Sequence, residues 1–166
     1  MKRIIIEVLI IIAAFILQST VFGAISLGGI VPNLLIIVTS SVGIMRGKKE
    51  GMFSGFLCGI LLDIFFGNVL GFYALIYTFI GYLNGIFQSL FYPEDVKLPM
   101  ILISASEVVY CFICYIFLFL LRRRLHPGYY IIHIILPEIV YTIVVTIVLY
   151  RGIIFVNEKL EEAAKE

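Results

Sequence analysis

The sequence predicts an all-α integral membrane protein, a bundle of about six transmembrane helices. Three observations carry this. Of 166 residues, 62% are hydrophobic and 14% charged, against roughly 45–50% and about 25% in soluble domains. Mean hydropathy is +1.13. The apolar residues fall into runs near the ~20 residues that cross a bilayer, parted by short charged or Gly/Pro breaks. So short a chain cannot enclose this much apolar surface in water, whereas lipid removes the need to.

The runs follow in order. The first covers 4–21, behind Met1-Lys2-Arg3. It resembles a signal peptide, but its length, Glu7 and the lack of an A-x-A site read as an uncleaved span. The second, 30–45, lies between GGIVPN and RGKKEG, and the third and fourth cover 51–66 and 71–91. PEDVKLP makes a polar turn before the fifth run at 100–121, and the sixth covers 129–150. Residues 1–156 thus form one helical membrane domain, and 157–166, NEKLEEAAKE, a short polar tail helix.

Lys and Arg in short loops set orientation. With the N-terminus in the cytoplasm, Lys2, Arg3, Arg46, Lys48, Lys49, Lys97, Lys159 and Lys165 fall inside, with Arg151 at the inner end of the last span. Both termini are then cytoplasmic. Arg122, Arg123 and Arg124 fall outside and break the rule.

Gly51, Gly55, Gly59 and Asp63 repeat every four residues, and Gly81 and Gly85 do so in the fourth run. On a helix each set forms one stripe. Small residues at this spacing let helices approach closely in lipid, where no hydrophobic force draws them together. Packing inside the bundle is the simpler use of the stripe; a seam for another protein is the sharper one. Asp63 ends the ladder. A carboxylate in a span is costly and functional by default, and pairing with one of Arg122–Arg124 would satisfy both anomalies.

Glu107, His133 and Glu138 are further ionisable groups inside spans, with Gln18, Asn33 and Asn84 as polar ones. Bonds between helices are the bland reading; a proton relay or small-solute site is the other. Pro137 frees a carbonyl beside Glu138 and would allow a kink. Cys111 and Cys114 have CxxC spacing but lie mid-span, where thiols pack as small apolar groups. His126 and His133 have no metal-ligand spacing, and HExxH, GxSxG, Walker and dinucleotide motifs are absent from the sequence. No enzyme, cofactor or metal site is expected. The net charge of +1 does not call for nucleic acid.

QSTVF (18–22), PNLL (32–35), RGKKEG (46–51), GFLCGILLDIFFGNVLGFYAL (55–75), IGYLNG (80–85) and PEIVY (137–141) occur in this order. Together they resemble the MreD family of bacterial rod shape-determining proteins, over nearly the whole chain. The most specific part is PNLL…RG…EG…GxxxGxxxD…G…GxxAL. Thr142 stands where the family often has Asn shortly after the last Pro–Tyr pair.

The resemblance implies a multi-pass protein of the bacterial cytoplasmic membrane, similar in fold to the S components of energy-coupling factor transporters. It implies a non-enzymatic part in the cell-elongation complex with MreC, MreB, RodA and a class B penicillin-binding protein, supporting lateral peptidoglycan synthesis. The residues expected to carry partner contacts or hold the scaffold are Pro32, Asn33, Arg46, Gly55, Gly59, Asp63 and Gly71. Arg46, Lys48 and Lys49 form a basic patch that attracts anionic lipid, at about 1 kcal/mol per residue, or meets a cytoplasmic partner. The alternative is a small-molecule-binding or transporter subunit with a polar intramembrane site at Glu107, His133 and Glu138.

Overall fold

The computed structural model describes residues 2–24, 26, 29–67, 69–92, 96–117 and 131–162. Among them are six long helices: α1 (Lys2–Ile16), α2 (Leu34–Arg46), α3 (Lys48–Phe66), α4 (Phe72–Ile86), α5 (Lys97–Tyr115) and α6 (Leu136–Glu162). The described residues are helices and their connections, apart from a lone bridge position at Ile30. Arg122–Arg124 and His126 lie outside the described residues.

α1 runs on through a π-helical turn, Leu17–Val21, into Phe22–Ala24. Ser19 and Thr20 return their hydroxyls to the carbonyls of Phe15 and Ile16 there, which competes with regular helix bonding. α4 ends in a 3₁₀ turn, Phe87–Leu90, and a π turn, Ile131–Ile135, leads into α6.

Helix bounds depart from the apolar runs in instructive ways. α2 starts at Leu34 rather than 30, because Pro32 favours extended backbone in the residue before it and Asn33 serves as the cap. α5 starts at Lys97, inside the expected PEDVKLP turn; Pro99 falls in the first turn, where its missing N–H costs nothing. α6 does not end at the polar tail but continues to Glu162. Pro137 sits just after the π turn rather than mid-helix.

Three stretches are long and apolar enough to cross a membrane: Ile4–Ala24, Lys97–Tyr115 and Leu136–Val156. α2, with 13 residues, reaches only ~20 Å, short of the ~30 Å hydrocarbon core. It is instead the hub. Leu34 through Ser41 are all buried, and α2 packs on each of the other five helices. The outside of the bundle is apolar. Phe65 and Phe66 are more than 60% exposed, and Leu70, Leu75 and Val148 more than 70%. In water such a surface would drive association; against lipid it costs nothing.

The tightest packing joins α3 to α4. A single residue, Gly47, links α2 to α3 with φ 94°, a backbone state that side chains resist. It also lies against the end of the Gln88 side chain, which a Cβ would push aside.

Candidate functional site

The glycine ladder is occupied from within the chain. A Cβ on Gly51 would lie 2.5 Å from the Gly81 carbonyl oxygen, and one on Gly85 would lie 2.5 Å from Lys48 Cα. Gly55 faces the Tyr77 carbonyl and Gly59 faces Ala74 Cα, both closer still. The third and fourth runs therefore mesh backbone to backbone, ladder against ladder.

Asp63 closes the far end of this seam. It is buried, and its carboxylate accepts three backbone N–H groups: Gly71 and Ala74 on Oδ2, both at 3.0 Å, and Tyr73 on Oδ1 at 2.9 Å. These are orphan donors of the first turn of α4. A carboxylate there meets both the free N–H groups and the positive end of the helix dipole. Asp63 is thus met by the N-terminus of α4; the expected pairing with one of Arg122–Arg124 falls outside the described residues. Gly71, the residue before α4, has φ 98°, which aims its N–H back at Asp63.

Asn33 ties three helices. Its Oδ1 accepts from Ile36 N at 3.3 Å and from the Tyr77 hydroxyl at 2.7 Å, and its own N–H donates to Thr142 Oγ1 at 3.1 Å. One residue thus caps α2 and pins α4 and α6 to it. Pro32 is buried beside it, and its carbonyl accepts from Leu34 N at 3.1 Å. Gln18 Oε1 accepts from Leu35 N at 3.2 Å, satisfying another start-of-helix donor from the π turn of α1. Asn84 Nδ2 donates to Ile80 O, Ser40 Oγ and Ser106 Oγ, joining α4 to α2 and α5.

Arg46 ends α2 and pairs with Glu7 of α1 and Glu50 of α3, each at 3.5 Å. Arg46 and Glu7 are 13% and 6% exposed in their side chains. Glu7, read from sequence only as an interruption in an apolar run, is therefore the buried partner of Arg46. The sequence offers no local signal for this pair, since the two lie on different helices.

Glu107 and Glu138 come together, with Cys111 between them: its sulfur lies 3.9 Å from Glu107 Oε1 and from Glu138 Oε2. Glu107 is 0% exposed. His133 is exposed in the π turn and takes no part in this cluster. Neither glutamate lines two further cavities formed by described residues. One of these, about 300 Å³, lies among Phe15, Gln18, Ser19, Tyr73 and Tyr110. The other is an open apolar groove of about 600 Å³ on the outer face of the α3–α4 hairpin, with Met52, Phe56, Ala74, Leu75, Thr78 and Phe79 along it.

A family description, rod shape-determining protein MreD, matches residues 1–158. The chain belongs to the MreD family. No curated protein and no solved structure gives a significant match. The family is one of rod-shape determination, and with the three long apolar helices it makes the chain a membrane protein.

The motifs that resemble the MreD family turn out to be joints of the bundle. PNLL starts the hub helix, RGKKEG makes the one-residue turn and supplies the Arg46 pairs, and GxxxGxxxD forms the seam and its closing cap. Thr142 is buried and holds the Asn33 N–H. The motifs thus describe a frame, assembled by backbone contacts and buried hydrogen bonds.

Proposed function

We propose that this MreD-family chain is a non-enzymatic component of the rod complex in the bacterial cytoplasmic membrane. The match over residues 1–158 carries the reading. In it the bundle of six helices sits in the bilayer, the short α2 enclosed at its centre, in an arrangement similar to the S components of energy-coupling factor transporters. Both termini are cytoplasmic, and residues 157–166 form a polar tail. The chain supports lateral peptidoglycan synthesis by holding MreC, and through it MreB, RodA and a class B penicillin-binding protein.

The docking face we assign to MreC is the α3–α4 groove. The ladder is taken by α4, so Gly55 and Gly59 act by building this hairpin rather than by touching the partner. The groove presents Gly71, Ala74 and Thr78 as a small-residue floor between Phe56 and Phe79. A transmembrane helix of MreC can approach such a floor closely, which is the main source of association energy in lipid.

The test is co-purification with tagged chain in mild detergent. Wild type should retain MreC, and Thr78→Leu, which fills the groove floor, should lose it while eluting as a folded protein. A wild-type chain that purifies alone, or a Thr78→Leu chain that binds equally well, would refute this face. A second reading, a small-molecule binder, is favoured by the 300 Å³ cavity with Gln18, Ser19, Tyr73 and Tyr110 on its wall, a size at the lower end of ligand pockets.

A further inference from the structure

Two carboxyl groups and a thiol converge between α5 and α6. Glu107 and Cys111 stand one turn apart on α5, and Glu138 lies in the first turn of α6. One ligand atom from each lies within 4.8 Å of the other two. The second oxygen of Glu107, Oε2, is sealed from solvent and has no hydrogen-bond partner. Beside the Glu107 carboxyl lie Glu138 and Cys111, and neither is a cation. A buried carboxyl with an unmet oxygen and a second acid for a neighbour lacks a positive charge or a donor.

We propose that Glu107, Cys111 and Glu138 bind a divalent transition-metal cation, with Zn²⁺ the best fit. The donor set decides the class. Magnesium and calcium take oxygen ligands only, whereas a thiolate selects a softer metal. Zinc accepts carboxylate oxygen at about 2.0–2.2 Å and thiolate sulfur at about 2.3 Å. Tetrahedral bonds of that length set sulfur and oxygen ligands about 3.5 Å apart. The two sulfur–oxygen distances are 3.9 Å, a few tenths of an ångström too long, and the two carboxyl oxygens, within 4.8 Å of each other, must come to about 3.4 Å, which side-chain rotation can supply. The fourth position falls to water.

Such a site spans two helices. It would fasten the first turn of α6 to α5, where the π turn Ile131–Ile135 leaves the backbone less regular. π turns of this kind recur at functional sites. Sequence spacing drew attention to Cys111 with Cys114; the structure pairs Cys111 with Glu107, four residues back, and with Glu138 from the next helix.

The experiment titrates Co²⁺, as a spectroscopic stand-in for Zn²⁺, into the full chain purified in detergent micelles. Wild type should bind one Co²⁺ per chain, give a thiolate-to-cobalt charge-transfer band and release the metal to Zn²⁺. Cys111→Ser, a one-atom change that keeps the fold, should abolish the band. Glu107→Gln should weaken binding at least about tenfold, a loss that even outer-shell substitutions reach. Cys114→Ser should leave the band intact. A folded wild-type chain without the band would overturn the proposal and leave the two acids sharing a proton. A band that survives Cys111→Ser, or that vanishes with Cys114→Ser, would overturn it too.

Discussion

Adding one methyl group at Gly59 should test the seam that the whole frame depends on. In Gly59→Ala the new Cβ would lie 2.5 Å from the Tyr73 carbonyl oxygen and nearer still to Ala74 Cα, whereas ordinary contact begins at 3.4 Å. The obstacle is backbone on both counts, so no side chain can rotate away. α3 and α4 must part by about an ångström along a helix pair that meshes from Gly51 to Asp63. Overpacking costs about 1–3 kcal/mol where neighbours can relax. Here the top of that range applies, because parting the helices also stretches the bonds from Tyr73 N and Ala74 N to Asp63. About 3 kcal/mol in a chain of this size lowers the melting temperature by roughly 6–12 °C. The assay is a melting curve of the purified chain in detergent, followed by size-exclusion fluorescence. Gly152→Ala, where a Cβ meets nothing within 4 Å, is the control and should melt at or above wild type. A Gly59→Ala chain that melts with wild type would refute the backbone-to-backbone seam.

Two other substitutions separate buried from exposed partners. Asp63→Asn keeps the shape of the side chain but sets an NH₂ against at least one of the N–H donors of α4; it should cost about 1–3 kcal/mol, read as a lower melting temperature, and no loss would count against the cap. Arg46→Ala leaves Glu7 buried without its cation and should cost about 3–5 kcal/mol, while Glu50→Gln, at a side chain that is itself 47% exposed, should cost under about 1 kcal/mol. Equal melting temperatures for these two variants would show that Glu7 does not depend on Arg46. Recovery of Arg46→Ala by an added Glu7→Gln is the expected rescue.

The sequence by itself determined which parts of the chain are helical and greasy, and which residues share a helix face. Composition and runs of apolar residues are local properties, so the helical apolar runs and their order could be read directly. The four-residue spacing from Gly51 to Asp63 likewise guaranteed a narrow stripe on one helix. Helix ends were less legible, as at Lys97 and Glu162, because a polar residue can continue a helix as readily as end it. What covers the stripe was decided only by tertiary structure. α4 and another protein's helix would satisfy the same small-residue face, and the choice rests on the turn at Gly71, which returns the chain onto its own ladder. The partners of the acids were hidden for the same reason. Asp63 answers to three backbone N–H groups, Glu7 to an arginine at the end of another helix, and Glu107 to a thiol one turn on and a carboxyl from α6. Burial of a charge requires a partner, which sequence can announce; which group supplies it depends on where separate helices meet.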